Sequence, residues 1–156
     1  FGRIFDVKEF QKNGLKTQFV QSSISKSLNK GTVRGFHYQV APNSECKLIR
    51  CIRGSAYTVI VDLRKNSPTF GKSDGFEITS DNYAMRYVPE GCANCTQILE
   101  DNTDLLYLTT GYYSPKCERG LKWNEPFFKI QWPLEVTNIS NKDQNWKTFD
   151  PDTCLT

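Results

Sequence analysis

One histidine and one methionine occur in 156 residues. A lone imidazole excludes any metal centre built from several histidines. Apolar runs are short: Val59-Ile60-Val61 is closed at once by Asp62. A membrane-spanning helix needs roughly 18 or more apolar residues, so no membrane role is expected. Twenty Lys and Arg stand against 17 Asp and Glu, a formal charge of +3 with no basic block. That excess is too mild to expect a nucleic-acid partner. No repeat, low-complexity segment or linker breaks the chain, so residues 1–156 are expected to form one domain. No signal segment is readable at the N-terminus. The chain opens at Phe1 without a Met, and an incomplete N-terminal region is expected.

Cysteine is the exception to this scarcity. Six are present: Cys46, Cys51, Cys92, Cys95, Cys117 and Cys154. A chain of this length does not need disulfides, and nothing signals secretion, so reduced thiols in the cytoplasm are expected. The sequons at Asn94 and Asn138 are then chance matches. Cys92 and Cys95 form one pair with no partner pair at zinc spacing. They are expected to lie in a turn leading into a strand.

The pattern is mostly β. Asp6 to Lys12 reads as one short helix stopped by Asn13-Gly14. Strands are expected around Thr17–Ser25, Lys47–Arg53, Ala56–Leu63, Phe76–Thr79, Met85–Val88, Thr96–Leu99, Leu105–Thr109 and Lys129–Trp132. Such short strands at about ten-residue spacing, with turn residues between, indicate a sandwich or barrel.

The chemistry centres on Thr32-Val33-Arg34-Gly35-Phe36-His37-Tyr38-Gln39. Strict alternation places His37 with Gly35 and Gln39, and turns Arg34 away unless the glycine bends the strand. The spacing resembles the two motifs of metal-binding cupins. Gly31, five residues and His37 match the first. Gln39 occupies the second His position, Lys47 the Glu position, and Gly54 closes it. Pro89-Glu90-Gly91 opens the second motif, with Asn94 in its His position. A His, a Gln, a Lys and an Asn do not make a transition-metal site, so no metal and no cofactor are expected. A neutral imidazole beside a fixed cation suits proton abstraction next to a carbonyl, with the cation on the enolate oxygen. The tyrosines of Leu105–Pro115 are candidate acids that the pattern alone does not rank.

Several stretches together resemble the dTDP-4-dehydrorhamnose 3,5-epimerase family. They are Val33–Gln39 (VRGFHYQ), Lys47–Gly54 (KLIRCIRG), Val61–Gly71 (VDLRKNSPTFG), Val88–Gly91, Tyr107–Pro115, Trp123–Pro126, Ile130–Pro133 and Ser140–Asp143. The resemblance implies an all-β cupin jelly roll with a few short helices, metal-free and homodimeric. It implies epimerisation of a nucleoside-diphosphate 4-keto-6-deoxy sugar, with His37 as base, Asp143 as its orienting partner, Lys47 on the enolate and Tyr107 as acid. Carried over likewise, Asp6, Gln21, Arg34, Glu118 and Lys142 contact the nucleotide, Arg34 and Lys142 at the diphosphate. Tyr112 stacks on the base or deoxyribose. The pattern breaks at two substrate positions. Asn94 replaces a family His and Ser23 a family Asn, so the sugar or the number of inverted centres is open. The alternatives are a 3,4-ketoisomerase of the same sugars, and a sugar-nucleotide-binding cupin without catalysis.

Overall fold

The structure, a computed structural model, describes residues 1–152. Cys154 lies outside them. Helix α1 (Val7–Lys12) forms because the Asp6 carboxylate accepts from the Glu9 amide at 3.1 Å, filling the N-cap role. Asn13 caps its end, and Gly14 takes the left-handed turn at φ +69°. Phe10 of this helix packs edge-on against Phe5, Phe19 and Tyr87.

Strands β1 (Gln21–Ser27), β2 (Thr32–Gln39), β3 (Lys47–Arg53), β4 (Ser55–Asp62), β5 (Ser73–Thr79), β6 (Met85–Val88), β7 (Cys92–Ile98) and β8 (Thr103–Thr109) follow. Short pieces β9 (Glu118–Gly120), a 3₁₀ turn (Pro126–Phe128), β10 (Asn138–Ile139) and helix α2 (Asn141–Gln144) complete the chain. A four-stranded antiparallel sheet runs β1-β8-β3-β6. A six-stranded sheet runs β10-β2-β7-β4-β5, with β9 also on β2. Ile49, Cys51, Ala56, Ile78, Ile98 and Leu105 fill the space between the sheets. A second core lies on the outer face of the larger sheet. There Val33, Phe36, Val59, Val61 and Cys95 are covered by Leu121, Phe128 and Phe149 of the C-terminal segment.

The expected bounds of β3 and β6 hold, and β1 starts later than expected. Two expectations fail. Residues 129–132 are not a strand. Lys129 ends the 3₁₀ turn in the left-handed region at φ 50°, and Ile130 and Trp132 pack onto the outer core. The segment lies over a sheet face, not along an edge, so its alternation finds no ladder. Cys92 and Cys95 lie inside β7, not in a turn before it. Three residues apart on a strand, they face opposite ways, Cys92 into the inner core and Cys95 into the outer one. That geometry rules out a dithiol or zinc pair. All five described cysteines are free.

Asp62 ties the loop between β4 and β5. Its buried carboxylate accepts from the Arg64 amide, from Arg64 Nε and Nη2, and from the hydroxyls of Ser67 and Thr69, all within 3.0 Å. Burial opposes its ionisation, but these donors outweigh burial and hold the carboxyl well below the usual range. Replacing Asp62 with Ala is expected to cost about 3 kcal/mol, read as a lower urea midpoint at unchanged slope. A depressed folded value means this contribution is complete above the unfolded Asp value. It drains away as pH falls toward the depressed one.

Candidate active site

Gly35 makes the site. Its φ is +115°, and a Cβ there would meet Asn94 O at 2.5 Å and Cys95 Cα at 2.9 Å. Only glycine fits so close to β7. The pairing of β2 with β7 slips between Arg34 and His37. The slip turns Arg34 and His37 into one cavity, against simple alternation.

That cavity measures about 320 Å³ and is lined by Ser25, Arg34, His37, Lys47, Asn94, Tyr107, Ser140, Lys142 and Asp143. His37 Nε2 lies 2.5 Å from Asp143 Oδ1. The other ring nitrogen has no hydrogen-bond partner among the described residues. The Gly35 amide donates to Asp143 Oδ2 at 3.3 Å, and the Trp146 indole donates to Oδ1 at 3.3 Å. Burial pushes Asp143 toward its neutral form, but His37 and these donors prevail and keep its value low. Ser140 positions the carboxylate from below: it caps α2 by accepting from the Asp143 amide at 3.1 Å.

Lys47 enters from the opposite sheet. Its ammonium donates to Asn94 Oδ1 at 3.0 Å and to the His37 carbonyl at 3.3 Å, with Glu45 at 3.5 Å. Burial lowers its value from the ordinary lysine range, and Glu45 partly restores it. Tyr107, also on the opposite sheet, is pushed up to about 12 by burial. Arg34 and the nearby Thr96 hydroxyl oppose that shift weakly. Thr96 Oγ1 approaches the phenol without hydrogen-bond geometry and has no partner of its own.

At the rim, Lys142 Nζ meets Glu118 Oε1 at 2.6 Å, and the Tyr113 hydroxyl donates to Glu118 Oε2 at 3.0 Å. Burial raises Glu118, but Lys142 and Tyr113 more than reverse it, so its value falls. Arg34 is held by Ser27 Oγ at 3.0 Å and Lys26 O at 3.2 Å. Gln39 performs a structural task. Its amide donates to the Asn43 and Tyr112 carbonyls, and its carbonyl accepts from the Ser114 amide at 2.6 Å. The cupin metal positions are thus spent on hydrogen bonds: Gln39 clamps the 112–114 loop, and Asn94 holds Lys47.

The family model for dTDP-4-dehydrorhamnose 3,5-epimerase matches residues 1–151. The chain belongs to the dTDP-4-dehydrorhamnose 3,5-epimerase family. It is 40% identical over 150 residues to the dTDP-4-dehydrorhamnose 3,5-epimerase of Shigella flexneri, covering 96% of this chain and 82% of that one. Its fold matches the enzyme of the same name from Bacillus anthracis, solved with TDP and PPi bound. There the TM-score is 0.92 at 36% identity, over 96% of this chain and 85% of that one. It also matches a dTDP-6-deoxy-D-glucose-3,5-epimerase from Legionella pneumophila, solved in complex with dTDP-4-keto-L-rhamnose. The TM-score is 0.85 at 34% identity, over 92% and 76% of the two chains.

In this epimerase the cavity gathers His37, Lys47, Tyr107, Asp143, Arg34, Asn94 and Lys142. Glu118 joins through Lys142. Gln21, the first residue of β1, holds the adjoining loop: its Oε1 accepts from the Tyr113 amide at 2.7 Å, and the Tyr112 ring of that loop is exposed. Ser23 sits on β1 directly beside Tyr107. Asp6 does not line the cavity; it caps α1 and pairs with Arg3 at 3.5 Å. Ser25, Ser140, Glu45 and Trp146 were not singled out from the sequence. Ser140 was legible as the first residue of a Ser-x-x-Asp cap, and Ser25 as the next same-face residue after Ser23. Among the described residues no helix is long and apolar enough to cross a membrane.

Proposed function

We propose that the chain epimerises a dTDP-linked 4-keto-6-deoxy sugar at C3 and C5. The observation that carries this reading is the opposition of His37 and Tyr107. His37 stands on β2 of one sheet and Tyr107 on β8 of the other, and both border one cavity. A base on one side and an acid on the other is what inversion at carbon requires.

The 4-keto group acidifies the hydrogens at C3 and C5. His37 takes one of them through its unpaired ring nitrogen, and the C–H electrons move onto the C4 oxygen as an enolate. Asp143 fixes the imidazole's tautomer and stabilises the imidazolium. Lys47 balances the enolate charge in a buried site. Tyr107 keeps its proton at neutral pH and delivers it to the carbon from the other face as the enolate electrons return to carbon and the C4 ketone re-forms; the imidazolium then gives its proton to solvent and the phenolate takes one back. Arg34 and Lys142 pair with the diphosphate. Gln21, Ser23, Asn94, Tyr112 and Glu118 complete the nucleotide and sugar contacts; Asp6, which caps α1 outside this cavity, is not among them. The proposal includes a homodimer and a cytoplasmic setting.

Proton NMR of dTDP-4-keto-6-deoxyglucose with the protein in deuterium oxide tests this reading. Loss of the C3 and C5 proton signals is the expected result. Loss at one carbon alone would make it a single-centre enzyme, with Asn94 and Ser23 the residues that differ from the family pattern. A 3-keto product would identify a ketoisomerase. A thermal shift with the sugar nucleotide but no exchange would identify a binder.

A further inference from the structure

Trp146 contacts the His37–Asp143 pair closely, although no motif marks it. Its indole N–H donates to the same Asp143 oxygen that meets His37. Its ring stands edge-on to the imidazole, with centroids 6.4 Å apart and planes at 69°. Gly120, the partner of His37 across β2 and β9, leaves the space this ring occupies. A Cβ at Gly120 would overlap the indole. Behind the ring opens a groove of about 1080 Å³ that Trp146 lines together with Tyr38, Arg119 and Phe149. The indole therefore stands between that groove and the acid–base pair.

We propose that Trp146 is a positioning residue for His37 and Asp143: its N–H orients the carboxylate, and its ring shields the pair from the groove behind. This rests on the reading of His37 as the base. Three donors on Asp143, from His37, Gly35 and Trp146, fix the plane of the carboxylate. The indole also takes up part of the carboxylate's negative charge, so removing its N–H leaves that charge to His37 and Gly35 alone. The other groups around His37 are Lys142 on α2, Lys47 on β3, Tyr107 on β8, Asn94 on β7, Glu118 on β9 and Arg34 on its own strand.

The chain's single histidine makes the test direct, because its ring resonances have no overlap. Trp146→Phe keeps a ring and removes the donor. In the substrate-free protein the His37 titration midpoint is expected to rise by about half a unit, a threefold change in proton affinity. The acid limb of kcat/KM should move up equally. Gly120→Ala keeps the indole N–H in the sequence, but its Cβ overlaps Trp146 Nε1 and Cε2 and pushes the donor away from Asp143. It should raise the midpoint too, and it decides the matter if Trp146→Phe does not fold. An unchanged midpoint in the folded variants overturns the inference. The titration needs no turnover, so its outcome is separate from the deuterium-exchange result that decides the function.

Discussion

His37→Ala is expected to lower the rate of sugar C–H exchange by about 10²- to 10⁴-fold, the span of general base catalysis. His37 carries the only imidazole of the chain, and the cavity's two lysines are ammonium groups already paired, Lys142 with Glu118 and Lys47 with Glu45. Asp143 is buried and committed to three donors. Lys47 is engaged by Asn94, Glu45 and the His37 carbonyl. Binding should survive, because Arg34 and Lys142, the groups proposed for the diphosphate, keep their own partners Ser27, Lys26 and Glu118 in the variant. The loss therefore falls on kcat, with KM little changed, which places the interaction in the transition state. Deuterium wash-in measured by proton NMR over hours reads the residual rate. Exchange in the variant as fast as in the native protein would remove His37 from the mechanism.

Lys47→Met is expected to cost about 10²- to 10³-fold in kcat, comparable to removing one oxyanion donor. Met keeps the length of the buried stem and deletes the charge. The enolate's negative charge exists only on the way to product, so KM should again move little. The pH profile supplies the second signature. Burial holds the Lys47 ammonium below the ordinary lysine range. As pH rises through that lowered value, the cation is lost and activity falls with it. The alkaline limb of the native enzyme should therefore lie below the usual lysine value of about 10.4. Tyr107, at about 12, retains its proton throughout this range. Lys47→Met should abolish that limb while lowering the plateau. A native limb that persists in the variant would assign it to another group.

Much of this was legible in the sequence, for reasons that can be located. Strands β3 and β6 were readable because β-prone residues there run between clear turn signals. Helix α1 was readable because Asp6 and Asn13-Gly14 mark its ends. Residues 129–132 carry a strand's alternation, yet they form no strand, because pairing depends on a free sheet edge and not on the pattern alone. The Arg34–His37 juxtaposition was open to either reading. Period-two alternation separates the two side chains, and only the backbone freedom of Gly35 reunites them. The His37–Asp143 contact spans 106 residues, beyond any local signal, and was legible only through family motifs. Trp146 had neither a local signal nor a motif, since its role arises from where α2 docks.

The C-terminal segment has two tasks on one stretch of chain. Thr137 N and Oγ1 bond the Gly31 and Lys30 carbonyls, and β10 adds a two-residue parallel pairing to β2. Through that narrow attachment the segment delivers Asp143 to a histidine held in the sandwich. The two halves of the proton-transfer unit thus belong to different tiers of structural persistence. The imidazole sits in a many-stranded ladder, while its carboxylate is carried by a segment that joins the sheet through two paired residues and otherwise packs on its outer face. Loosening that attachment would switch off the chemistry while both sheets stay intact, so activity reports on the docking of this segment and not on the inner core alone.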